Sequence, residues 1–167
     1  LNIPKPLWIL PGLFQERSIN FLFGEKGKGK TEFSLGLAFA ICKAERVLQY
    51  EAPEEETPCT FIDGEMDPYD LVQRTKPYID RLGYPKKDYL QLINFALQPD
   101  QTIPDIKDEP GQKKVLKHLK IQETLTGKKP VLILDNLRSL SNYIENDADS
   151  YRPIGVLLKE WVIQHLS

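Results

Sequence analysis

Apolar positions fall in short compact runs, separated by longer stretches in which they return at helical spacing. Ile19 to Phe23 (Ile-Asn-Phe-Leu-Phe) is one such run, ends at Gly24, and reads as a buried strand. From Thr31 to about Lys43, the residues Phe33, Leu37, Ile41 and Ala44 recur on one side of an expected helix. A short strand is expected over Thr60 to Asp63, after an acidic, proline-containing loop from Pro53 to Pro58. Asp67-Pro68 then opens a helix, with Asp67 as N-cap and Pro68 in the first position. Its core face is Leu71, Thr75, Tyr78 and Leu82, and Gly83 stops it. Leu90 to Phe95 is a third strand, and Asp100 to Gly111, with Pro104 and Pro110, is a loop. A helix from about Gln112 to Leu125, closed by Gly127, leads to a fourth strand, Val131 to Asp135 (Val-Leu-Ile-Leu-Asp). The last segment is amphipathic through Val156, Leu157, Trp161, Val162 and Leu166.

Strands alternating with helices predict an α/β fold: a mainly parallel sheet with helices on both faces. Apolar strands without polar alternation fit a sheet covered on both sides. Ligands of such sheets collect at the carboxyl ends of the strands. Gly24, Asp63 and Asp135 each close an apolar run, so candidate chemistry starts at each of these places.

A chain of 167 residues suffices for one domain with a real core, and its 41% apolar and 28% charged residues are those of an ordinary globular protein. No apolar run is long enough to span a bilayer. Leu7 to Leu10 and Ile19 to Phe23 are separated by Pro11, Gly12 and Gln15-Glu16-Arg17, which is not the pattern of a secretory leader. A cytoplasmic protein without a membrane partner is expected. Cys42 and Cys59 lack metal-site spacing and read as buried thiols, a disulfide between them being the alternative. The net charge of −2 argues against an autonomous nucleic-acid binder and leaves room for nucleic acid in the channel of an oligomer. Acids gather between positions 51 and 70, whereas Lys113, Lys114, Lys117, Lys120, Lys128 and Lys129 form a basic stretch, either a solvated helix face or a contact surface. The chain has no initial Met and stops inside an amphipathic pattern, so it is expected to be part of a longer protein, with the final strands of the sheet missing.

Gly24-Glu25-Lys26-Gly27-Lys28-Gly29-Lys30-Thr31 fits the pattern G-x-x-x-x-G-K-[ST], and it follows an apolar run and precedes a helix. The glycines let the backbone curl so that successive N–H groups face phosphate oxygens. The following helix aims its positive end at the same place. Lys30 is expected to neutralise the β- and γ-phosphates of ATP, and the Thr31 hydroxyl to ligate Mg²⁺. Lys26 and Lys28 either add to this field or are solvated. Val131 to Asp135 supplies the second acid of such a site, Asp135, expected to hold Mg²⁺ through its water. The next position, where many water-activating ATPases of this kind have Glu, is Asn136. The base must then come from elsewhere, and Glu65, just past the strand ending at Asp63, is the candidate if that strand neighbours Val131 to Asp135. Otherwise Glu65 is a solvated loop acid and Asp63 caps its strand.

Four stretches taken together resemble the RecA-type P-loop ATPases, and within them the RepA-like replicative helicases, a group also described as an AAA-type ATPase domain. They are Gly24 to Thr31; Phe61-Ile62-Asp63-Gly64-Glu65-Met66 with Arg74; Leu134-Asp135-Asn136-Leu137-Arg138-Ser139-Leu140; and Glu145-Asn146-Asp147-Ala148-Asp149-Ser150. The resemblance implies a three-layer RecA-like P-loop NTPase fold, with 1–167 as a single, partial domain. It also implies Glu65 as the residue that activates the attacking water, and a homo-oligomeric, hexameric ring with ATP between neighbours. In this family a further strand carries a polar sensor, and beyond it an arginine reaches the neighbour's nucleotide. The chain ends before both, and Arg74, Arg81, Arg138 and Arg152 are not assigned to that task, so this stretch alone is expected to bind ATP rather than hydrolyse it well. The coupled work implied is DNA replication on single-stranded DNA, as a helicase. A nucleotide-dependent switch or assembly module with slow hydrolysis is the rival, and a small-molecule kinase, for which no arginine-rich lid is present, the third reading.

Weaker signals remain. Ser139 to Ser150 is a polar connection on the nucleotide side, facing a neighbour or DNA or merely linking elements, with Ser150 as the cap of the last helix. His118 and His165 are lone helix histidines, and Tyr143, Tyr151 and Trp161 are aromatic residues of the kind that stack on bases, packing being the simpler role for Trp161.

Overall fold

The computed structural model describes residues 7–94, 105–141 and 148–164. Phe95, positions 100–104 of the expected loop, Tyr143, Glu145 to Asp147, His165 and Leu166 lie outside the described residues, as do the side chains of Tyr151 and Arg152. The chain begins with a small antiparallel hairpin, β1 (Trp8–Leu10) and β2 (Phe14–Gln15), turned at Gly12 with φ +78°. Pro11-Gly12, a break between apolar runs in the sequence, is thus a hairpin turn. Then come α1 (Lys30–Lys43), β3 (Cys59–Asp63), α2 (Pro68–Leu82), β4 (Leu90–Asn94), α3 (Glu109–Thr126), β5 (Val131–Asp135), α4 (Leu137–Ser141) and α5 (Ala148–Gln164).

The main sheet is parallel, in the order β4-β3-β5. Its central strand is buried throughout, and its residues point alternately to two separate cores. Phe61 and Cys59 pack with Leu35, Ala38 and Cys42 of α1 and Leu71 of α2. Ile62 packs on the opposite face with Ile93, Val115, Leu119, Leu140, Leu157 and Trp161, which brings α3, α4 and α5 to that side. Helices thus cover both faces of the sheet, as the apolar strands predict, and the three layers are those of the P-loop NTPase fold that the resemblance implies. Thr60 faces α3 and donates to Gln122 Oε1 (2.5 Å). The Gln122 amide in turn donates to the carbonyls of Cys59, Asp88 and Tyr89 at 2.9–3.2 Å, so this buried polar group is fully engaged. Cys42 and Cys59 are free, buried thiols. Among the described residues no helix is long and apolar enough to cross a membrane.

Several boundaries are set by caps. Asp67 accepts from Tyr69 N (2.8 Å), and Gly83, with φ +75°, ends α2. Asp108 accepts from Gly111 N (2.7 Å), which starts α3 at Glu109 and makes the last part of the expected loop helical. On α1 burial runs from Leu35 through Cys42 except at Gly36, broader than the expected stripe. Phe33 is only half-buried, and Ala44 is the left-handed C-cap.

Three expectations are corrected. Ile19 to Phe23 is not a strand, and Phe23 is 72% exposed. Ser18 and Asn20 bond locally, Ser18 Oγ to Gln15 O (2.6 Å) and Asn20 Nδ2 to Ser18 Oγ (2.9 Å), and Phe21 stacks on Phe23. Side-chain bonds of this kind compete with ladder pairing. The polar stretch after Asp135 is not all loop, because Asn136 Oδ1 accepts from Ser139 N (2.9 Å) and the short helix α4 starts there. Ser150 lies inside α5, which starts at Ala148, and so does not cap it.

Candidate functional site

The carboxyl ends of the three strands lie in register. Asp63 is paired with Asn94 on one side and Asp135 on the other, and Gly64 N donates across to Asp135 O (2.9 Å). Strand order, on which the role of Glu65 depends, therefore makes β3 the direct neighbour of β5.

The loop Gly24 to Thr31 faces these ends. Gly27 and Gly29 both have φ +80°, a conformation that side chains disfavour, and a Cβ built on either meets nothing within 4 Å. Gly29 caps α1 with no side-chain hydrogen bond, so the first N–H groups of that helix are left to other acceptors. Lys30 folds back over the loop, its Nζ donating to the carbonyls of Gly24 (2.6 Å) and Glu25 (2.8 Å). Lys28 and Glu25 form a loose, exposed ion pair at 3.8 Å, of little energetic weight.

Thr31, one residue into α1, brings its hydroxyl close to the Asp135 carboxyl. Burial pushes that carboxyl above its ordinary range, the Thr31 hydroxyl opposes the shift, the charge of Glu65 adds to it, and Lys30 and Arg74 counter it. Asp135 Oδ2 is buried with no hydrogen-bond partner. An orphaned carboxylate oxygen is costly unless something binds it, and with the Thr31 hydroxyl alongside it fits a hard, oxygen-seeking cation such as Mg²⁺. Among the described residues no group of three or more His, Cys, Asp or Glu is placed to hold a metal ion by itself. An ion bound here would therefore draw its other ligands from phosphate and water, which is how Mg²⁺ is usually held in phosphoryl-transfer sites.

Asp63 stands in contrast. It is 2% exposed, and its two oxygens accept from Glu65 N (3.3 Å), Met66 N (3.1 and 3.2 Å) and Asn94 Nδ2 (2.7 Å). Burial pushes its carboxyl up as well, and the two backbone N–H bonds oppose it. Its hydrogen bonds fold the chain over the end of β3 and carry Glu65 outward. Glu65 then accepts from Asn136 Nδ2 (2.6 Å) beside Asp135.

The site thus brings together Lys30, Thr31, Glu65 and Asp135 at one end of the sheet. Sequence reasoning misses two participants, Asn94 and Asn136. Asn94 ends an apolar strand just as Asp63 and Asp135 do, and that signal is present in the chain; the tie between Asn136 and Glu65 spans 71 positions and leaves none. Arg74 of α2 pairs with Glu32 of α1 at 2.7 Å. His118 lies on α3, away from these groups, and burial lowers its proton affinity. Trp161 is buried in the core, as expected.

A family model described as AAA domain matches residues 2–165. A search of curated proteins gives no match. The chain belongs to the AAA domain family, a family of P-loop, nucleotide-binding ATPases.

Proposed function

We propose that the chain is an ATP-binding and hydrolysing motor domain of RecA type, related to the RepA-like replicative helicases and working as a homo-oligomer, a hexameric ring by that resemblance, on single-stranded DNA. The observation that carries the ATPase reading is the buried, unpartnered Asp135 oxygen beside the Thr31 hydroxyl, facing a glycine loop with open space at Gly27 and Gly29. Backbone N–H groups of Gly24 to Thr31, with Glu25, Lys26 and Lys28 in the loop, cradle the phosphates. Lys30 exchanges the Gly24 and Glu25 carbonyls for β- and γ-phosphate oxygens, and Thr31 and Asp135 hold Mg²⁺. The cation supplies charge neutralisation on the phosphates. Glu65 takes the proton of the attacking water as its oxygen bonds to the γ-phosphorus and the bond to the bridging oxygen of ADP breaks. The helicase assignment rests on the likeness of Phe61 to Met66 and Leu134 to Leu140 to that group.

The test is ATP turnover by the full-length protein with and without single-stranded DNA, beside Glu65→Gln. The substitution is expected to lower kcat by at least about 100-fold with ATP affinity kept, the usual weight of a general base. Normal turnover by Glu65→Gln removes the base, and turnover indifferent to single-stranded DNA favours the switch or assembly module over the motor.

A further inference from the structure

We propose that Asn136 is the positioning residue for Glu65, holding its carboxylate at the site and tying it to α4. This rests on the reading of Glu65 as the base. Where many related sites carry an acid directly after the strand-end Asp, this chain carries an amide, and the amide has two jobs that only Asn performs together. Its Oδ1 accepts from both the backbone N–H and the hydroxyl of Ser139, each at 2.9 Å. The Ser139 N–H fixes which end of the amide is oxygen, because an NH₂ group turned toward it would set a donor against a donor, and the hydroxyl, free to rotate, donates to the same oxygen. Nδ2 is thereby aimed away from α4, and it meets Glu65 Oε2 at 2.6 Å. Among the described residues Glu65 Oε1 takes no hydrogen bond, so one carboxylate oxygen is clamped and the other is left to receive a proton.

A second contact joins the same two segments. A Cβ at Gly64, next to Glu65, would lie 2.9 Å from Ser139 Cβ and 3.0 Å from Leu140 Cδ2. The turn carrying the base and the short helix α4 therefore touch directly as well as through the Asn136 amide. A shift of α4 along the strand end draws Nδ2 from Glu65 and releases the carboxylate to rotate. Placement of a reacting group to within about 1 Å can be worth about 100-fold in rate, so this clamp sets kcat rather than nucleotide affinity.

The experiment compares Asn136→Ser and Asn136→Asp with Glu65→Gln and the double variant Glu65→Gln/Asn136→Ser, all in the full-length protein. Ser and Asp both keep an oxygen that caps α4; the Asp carboxylate offers no donor, and the Ser hydroxyl ends one bond short of the Nδ2 position that meets Glu65. ATP affinity, read with a non-hydrolysable analogue, and the thermal midpoint report folding. The expected result is unchanged affinity, with kcat down about 10- to 100-fold for Asn136→Ser and further for Asn136→Asp, whose carboxylate opposes that of Glu65. The double variant is no slower than Glu65→Gln alone, since residues acting as one unit are not additive. If Glu65→Gln is inactive while Asn136→Ser turns over as the unsubstituted protein does, Asn136 only caps α4 and the proposal falls. It falls equally if Asn136→Ser slows the Glu65→Gln protein by the same factor as the unsubstituted one. Normal turnover by Glu65→Gln would instead overturn the base itself, a distinct result.

Discussion

The ends of β3 and β5 carry the same residue at the same register position, yet the two carboxylates have opposite fates. At Asp63 the chain turns back over the strand, and Glu65 N, Met66 N and Asn94 Nδ2 occupy both oxygens. At Asp135 the chain turns away into α4, capped by Asn136 rather than by the acid, and Oδ2 is left buried without a partner. The first acid builds a turn; the second keeps an unpartnered oxygen, the one the proposed function gives to a cation. Aspartate at the end of a buried strand is thus not in itself a sign of a metal site. The path of the next three residues decides whether the carboxylate is consumed by its own backbone.

The same substitution at both positions breaks the comparison most directly. Asp135→Ala is expected to lower ATP turnover by on the order of 10³, the scale of removing one well-placed electrostatic partner of the transition state. Its fold should be little affected, because the side chain removed holds an unsatisfied oxygen. Asp63→Ala is expected to cost stability instead, about 1–3 kcal/mol from stranded donors, which reads as roughly 2–4 °C of thermal midpoint per kcal/mol in a chain of this size. Its turnover should fall far less than that of Asp135→Ala. Equal losses of turnover for the two would erase the distinction. Steady-state kinetics and thermal melts on both variants measure it.

A smaller effect lies in pH. Burial raises the Asp135 carboxyl, so its folded-state proton affinity exceeds the unfolded one. Such a group contributes stability that is present below the ordinary carboxylate value, about 4, and lost as pH rises through its raised folded value. Without Mg²⁺, the thermal midpoint of the unsubstituted protein should therefore drop relative to Asp135→Ala as pH rises above about 4. Mg-ATP should reverse the drop, since a ligand that binds only the folded state stabilises it. A gap that moves the other way with pH would mean that Thr31, Lys30 and Arg74 outweigh burial at this carboxylate.

Much of the site is legible in the sequence because its chemistry is local. A glycine turn with Lys30 and Thr31 is a run of eight neighbours, and φ values of +80° at Gly27 and Gly29 are what such glycines permit. The strands β3 and β5 announce themselves by apolar runs ending in acids. The run Ile19 to Phe23 misleads because Asn20 sits within it: an apolar count ignores the local bonds that Ser18 and Asn20 make. The starts of α3 and α4 escape a reading of the sequence because an Asp and an Asn that look like loop residues are caps.

By itself, then, the sequence determined the glycine turn before α1, the layered α/β class and the two strand-end acids, since each depends on residues a few positions apart whose sterics and periodicity act locally. Tertiary structure alone decided that β3 lies directly against β5, that Asn94 serves Asp63 and that Asn136 holds Glu65. These contacts join positions 31 to 72 apart in the chain. They exist only once both faces of the sheet have been buried and the register is fixed, because burial and pairing choose among distant partners that no local pattern distinguishes.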